Sequence, residues 1–160
     1  MKVEPSKEHQ WLQQLAGEWT MTGEAVMEPG KPPEKWAGTE SVRSLGGLWI
    51  LADGQGDMPG GGIAISQMTL GYDPKQERFI GTFVASVMTH LWVYENGTLD
   101  AARKVLTLNT EGPDFKLEKM AKYRDVIEVL GDEERSLSSF ALGEDGAWRQ
   151  FMKAVYRRRR

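Results

Sequence analysis

The chain contains no cysteine. That excludes disulfides, thiol catalysis and cysteine-ligated metals. Its two histidines, His9 and His90, are too few for a histidine-built metal centre, and no spacing of carboxylates argues for another kind, so no metal and no cofactor are expected. No stretch approaches the ~18 apolar residues of a membrane helix. The opening "MKVEPSKEHQ" places no apolar segment behind its charges, so no secretory signal is read there and a cytoplasmic location is expected. A net charge of −3 gives no general reason to bind nucleic acid. The one dense charge cluster, "RRRR" at 157–160, reads as a solvated end, with a weak anionic-surface contact as the other reading.

What is present is ordinary for a soluble globule: 160 residues, 40% hydrophobic and 27% charged. That length suits one domain over 1–160, able to bury roughly 70% of its unfolded surface. Residues 6–16, "SKEHQWLQQLA", form an amphipathic helix in this reading. Ser6 caps it, Glu8 suits its positive start, and Trp11, Leu12 and Leu15 share a face. Gly17 ends it.

The hydrophobic period then changes from 3.6 to 2. In "WTMTGEAVM", Trp19, Met21, Gly23, Ala25 and Met27 face one way and Thr20, Thr22 and Glu24 the other. Further strands are expected near 35–45, 47–54, 63–72, 78–88, 90–96, 103–110, 117–130, 134–142 and 147–157, divided by short polar turns. These include "EPGKPP", "YDPKQER" and an Asn-Gly turn in "ENGTLDAARK". Short loops impose antiparallel neighbours, and closing about ten such strands into a barrel removes the open edges. The expected fold is therefore all-β: one antiparallel up-and-down barrel over about 17–157, with a short N-terminal helix. A barrel that wide leaves a cavity inside its wall.

A helix followed by "AGEW", a Gly-x-Trp at the head of the first strand, resembles the calycin superfamily of lipocalins, fatty-acid-binding proteins and nitrobindins. The resemblance implies that Trp19 packs inside the closed end, that a basic residue of the last strand, Arg157 or Arg158, covers it, and that Gly17 permits the sharp turn. "GYDP", "RFIGTFVAS", "GTLD", "KVLTL", "KYRDVIEV" and "WRQFMKAVYRR" together resemble the bacterial calycin family labelled domain of unknown function 1579, over roughly residues 8–158. Members often carry an aspartate before the serine that follows strand five; here Ala85 precedes Ser86, so any role of that carboxylate is absent. Haem binding of the nitrobindin kind would need a histidine near the C-terminal strands, and residues 91–160 contain none.

The candidate lining of the cavity is Trp36, Met68, Phe83, Trp92, Met120 and Met152. Glu40, Arg124 and Gln150 lie in alternating strands; if inward, they would orient a polar ligand head, as arginines do in fatty-acid-binding barrels. His90 shares its parity with Trp92 and Tyr94, and serves either as a polar anchor or as a solvent-facing residue at a hairpin end. The glycine-rich "DGQGDMPGGG" lacks the Gly-Lys-Ser/Thr of a phosphate loop and reads as a flexible hairpin loop or as a lid carrying Met58. No Gly-x-Ser-x-Gly elbow exposes a serine nucleophile.

Three functions follow. The leading one is binding of a small hydrophobic or amphipathic ligand in the barrel, without identifiable catalytic machinery. The second is an enzyme using His90 as base with Glu40 or Glu128. The third is an interaction protein with a filled barrel acting through a homodimer face.

Overall fold

The computed structural model describes residues 2–160. One helix, α1 (Lys7–Gln13), precedes ten strands: β1 (Gly17–Ala25), β2 (Glu34–Leu45), β3 (Trp49–Asp57), β4 (Ile63–Asp73), β5 (Arg78–Ala85), β6 (Trp92–Leu99), β7 (Val105–Pro113), β8 (Met120–Val129), β9 (Glu134–Leu142) and β10 (Trp148–Arg158). Every neighbour in sequence pairs antiparallel, and β10 returns to β1 to close the barrel. In the closing pair Trp19 lies opposite Arg158 and Ala25 opposite Met152.

The helix is shorter than its periodicity predicts. Residues 14–16 bond three residues back, Leu15 N–H to Leu12 O and Ala16 N–H to Gln13 O, which tightens the last turn out of α-geometry. Ser6 caps the start reciprocally with His9: the Ser6 side chain accepts from the His9 amide, and His9 Nδ1 accepts from the Ser6 amide at 2.9 Å. The other ring nitrogen then donates to the Tyr72 carbonyl at 3.0 Å, and Trp11 Nε1 donates to the Arg103 carbonyl at 2.7 Å. These two bonds pin α1 across one end of the barrel. Trp11, Leu12 and Leu15 fill that end together with Val42, Ile50, Leu70, Phe79 and Leu106. Each such side chain contributes about 1.5–3 kcal/mol by leaving water.

Gly17 leaves the helix end at φ +135°, a conformation that side chains disfavour, and a Cβ there would lie 2.4 Å from Arg158 Nη1. The turn brings Trp19 inward. Its Nε1 donates to the Leu15 carbonyl at 3.0 Å. Two guanidinium groups flank its ring, Arg158 at 4.3 Å and Arg135 at 4.6 Å from the centroid. Arg158 also donates to the carbonyls of Gln14, Ala16 and Asp132. Arg157 has the opposite parity, points out to solvent and meets Glu134 at 3.7 Å. The arginine run is thus not a loose end: β10 runs to Arg158, and the Arg159 amide still donates to Glu18.

Two turns differ from expectation. Asn96-Gly97 is not a turn, because β6 continues to Leu99 and carries the extra residue of a bulge opposite β5, where Gly97 pairs with Phe79 and Tyr94 with Gly81. The real turn follows at Asp100, whose side chain accepts from the Lys104 and Val105 amides. The "DGQGDMPGGG" stretch is not all loop either. Its first half is the end of β3, and only Met58–Gly62 turns.

One seam of the wall departs from a regular ladder. β6 and β7 share two register pairs, Thr98 with Thr107 and Leu99 with Leu106. Beyond them, side chains bridge the strands: Thr110 Oγ1 donates to the Val93 carbonyl, Asn109 Nδ2 to Asn96, and His90 Nε2 to Glu111, at 2.8, 3.1 and 2.9 Å.

The two arginines of the last strand therefore predict different outcomes in chemical denaturation. Arg158→Ala is expected to cost at least about 2 kcal/mol, because three carbonyls and the Trp19 ring lose a charged partner. Arg157→Ala is expected to stay within about 0.5 kcal/mol of wild type, as exposed ion pairs do. Equal losses would remove Arg158 from its place as the closing residue.

Candidate functional site

Strand parity sorts the candidate residues. Trp36, Met68, Phe83, Trp92 and Met152 face the interior, and each keeps some accessible surface there. Glycines make room for the two indoles. A Cβ on Gly23 would lie 2.5 Å from Trp36 Cζ2, and one on Gly112 would lie 2.1 Å from Trp92 Cζ3. Met68, Phe83 and Trp92 are cross-strand neighbours on β4, β5 and β6. Trp92 meets Tyr123 edge-on at 5.1 Å, and Phe115 meets Phe151 at 5.1 Å, which extends an aromatic wall to the end of the barrel opposite the helix.

Other candidates lie elsewhere. Arg124 faces out, its guanidinium 4.1 Å above the Trp148 ring and its Nε donating to Asn109. Gln150 also faces out: a bulge between Gln150 and Met152 breaks the alternation that would put both inside. Met120 is 58% exposed at the start of β8, on the outward parity. Glu128 is exposed on the outer wall.

His90 precedes β6 at the rim, with its ring 4.8 Å from Trp92 and its Nε2 bound to the Glu111 carbonyl. Neither carboxylate of the enzyme reading reaches it, since Glu128 points away and Glu40 is held by Arg135. Ser86, beside Ala85, accepts the Ile65 amide at 2.9 Å, a bond of the turn after β5.

The middle of the interior is polar, and most of it escaped the sequence reading. Glu40 on β2 points inward and pairs with Arg135 on β9, both nearly sealed from solvent at 13% and 5% exposed. The Arg135 guanidinium lies 4.0 Å from the Tyr156 centroid and close to Trp19, so it is held between two rings. Gly54 supports the pair, because a Cβ there would meet Ser66 Oγ at 2.8 Å and approach the Glu40 carboxylate at 3.8 Å.

A second cluster stands nearby. Asp125 on β8 accepts the Tyr94 hydroxyl at 2.5 Å on one oxygen and the Ser139 hydroxyl at 2.6 Å on the other. Burial pushes the Asp125 carboxyl above its usual range, against the pull of these two donors. Burial, then the Asp125 charge, pushes the Tyr94 hydroxyl well up, so it stays a donor. Tyr156 lies within the field of both Glu40 and Asp125 and is raised chiefly by burial. Among the described residues Asp125 has no ion-pair partner.

A surface depression of about 770 Å³ lies against β1, β2 and β10. Thr22, Glu24, Lys35, Ala37, Asp57, Lys153 and Val155 line it from the outward parity, and Gly23 and Trp36 also border it. A smaller one of about 320 Å³ opens at the helix end beside Trp19, Arg135 and Arg158. Among the described residues no group of three His, Asp or Glu gathers where a metal ion could be held, and no helix is long and apolar enough to cross a membrane.

A closed ten-strand barrel with an N-terminal helix, carrying Gly-x-Trp at its latch, matches one sequence family, described as "Protein of unknown function (DUF1579)", over residues 4–158. The chain belongs to the DUF1579 family. No curated protein matches this DUF1579 chain. Among solved structures it is similar to Rv2717c from M. tuberculosis, at 15% identity and TM-score 0.64, covering 98% of this chain and 100% of the other. It also resembles a de novo designed fluorescence-activating β-barrel, at 11% identity and TM-score 0.50, covering 92% and 96%. A further similar structure, EF1p2_mFAP2b bound to DFHBI, has 12% identity and TM-score 0.51, covering 94% and 98%. At these identities the likeness is one of fold.

The buried carboxyl of this DUF1579 barrel sets a pH dependence with a definite sign. A carboxyl whose folded pKa is raised binds its proton more tightly in the native state, so its contribution to stability is lost as pH rises from the unfolded value through the folded one. Asp125→Asn should therefore gain on wild type over that interval, by up to about 1.4 kcal/mol per pH unit, the limit for one proton. Urea denaturation from about pH 4 to pH 8 checks this; a wild-type-minus-variant difference that is flat with pH would show that Asp125 is not perturbed.

Proposed function

We propose that this protein is a calycin-like binding barrel that takes a small, largely apolar or amphipathic molecule into the half opposite the helix. One observation carries the reading: at the helix end Trp11, Leu12, Leu15, Trp19, Phe79 and Leu106 are buried, whereas the inward-facing Trp36, Met68, Phe83, Trp92, Phe151 and Met152 are only half-buried. Aromatic and thioether walls of that kind, with a few polar groups at depth, suit a ligand with a flat apolar body. The similar barrels described as fluorescence-activating, or as bound to DFHBI, support the reading as instances of small molecules held by this kind of fold. His90 at the rim and Glu40 at depth serve in this reading as flanking polar groups, not as an acid/base pair.

The experiment is a titration with the neutral fluorophore N-phenyl-1-naphthylamine, read by its emission and by quenching of tryptophan. Trp92→Leu should leave the fold intact, as judged by circular dichroism, and weaken binding at least about fivefold, since an aromatic contact is worth roughly 1 kcal/mol. Binding that is absent, or unchanged in the variant, would overturn the proposal.

A further inference from the structure

Between the helix end and the opposite end, the interior contains an acidic and basic trio, Glu40, Arg135 and Asp125. Glu40 and Arg135 neutralise each other, and the guanidinium is enclosed between Trp19 and Tyr156. Its Nε is buried without a hydrogen-bond partner. Little of that cation is offered to a ligand. Asp125 is different. It is half-buried at an inward-facing strand position, opposite Ser139. Both its oxygens accept hydroxyl protons from Tyr94 and Ser139, which fixes the carboxylate's orientation and leaves each oxygen a further lone pair.

Resting on the binding-barrel reading above, we propose that the deep end of the site recognises a protonated amine. Its N–H groups would donate to Asp125 while the apolar body of the ligand lies along Phe83, Trp92, Tyr123 and Met152. The charge count favours this chemistry. With the Glu40–Arg135 pair closed, Asp125 is the interior carboxyl left without an ion-pair partner among the described residues, and a bound ammonium would supply one in a region where a lone charge is costly. An anionic head would meet the same carboxylate with repulsion and would have to break the Glu40–Arg135 pair to find a partner.

Three probes that differ only in their head group test the assignment: 1-naphthylmethylamine, 1-naphthalenemethanol and naphthalene-1-acetate, titrated at neutral pH against the whole chain. The amine should bind at least about tenfold more tightly than the acetate, the ratio expected when one charged hydrogen bond is gained or lost. Asp125→Asn should abolish most of that preference and change affinity for the alcohol no more than about twofold. An acetate that binds as well as or better than the amine to wild-type protein overturns the proposal, and needs no variant to do so. So does an amine preference that survives in folded Asp125→Asn protein. If N-phenyl-1-naphthylamine binds through Trp92 but the amine shows no advantage, the amine assignment alone falls. If none of the probes binds, the cavity reading beneath it falls as well.

Discussion

Closure of the barrel rests on Trp19 held between two cations. A sheet of ten strands closes only if its first and last strands meet in register, and the first and last strands here meet where Trp19 faces Arg158. The indole is anchored at its nitrogen by Leu15 and flanked by Arg135 and Arg158. Arg158 in turn ties the helix end to the β8–β9 turn through carbonyls at Gln14, Ala16 and Asp132. One cluster therefore joins helix, first strand, last strand and a distant turn. Toward the other end, inward-facing side chains such as Trp36, Met68, Phe83 and Met152 are only half-buried.

The latch also organises the charges farther in. Arg135 stacks on Trp19 and Tyr156 while pairing with Glu40, so an ion pair that would otherwise be costly to bury is held in a rigid aromatic frame. Ion pairs of that kind add little net stability. What this one does is occupy the interior guanidinium, which leaves Asp125 without an ion-pair partner among the described residues.

The architecture was legible in the sequence because it depends on period and turn length. Alternation marks most strands, and the loops are of hairpin length. The site was legible only in part. Alternation gives two faces without saying which is inner, and the decisive cue in "YRDVIEV" is comparative: Arg124 and Glu128 share one face, so the face with the single charge, Asp125, is the one that can be buried. At Gln150 no such cue exists, because a bulge shifts parity within the strand. Arg135 hides for another reason: in "ERSLSSF" both faces carry one charge and serines, and only the rings of Trp19 and Tyr156, far away in sequence, make its inward position tolerable.

The β6–β7 seam has a mechanical consequence. Elsewhere the wall is stitched by longer runs of paired residues, so parting two strands there requires breaking many main-chain bonds together. Along this line two ladder pairs are supplemented by a threonine hydroxyl, an asparagine amide and a histidine ring. Trp92, seated against Gly112 directly beside that line, is the wedge between the two strands. Opening the wall along this line would separate fewer register-paired residues than at any other junction, and would do so beside Trp92.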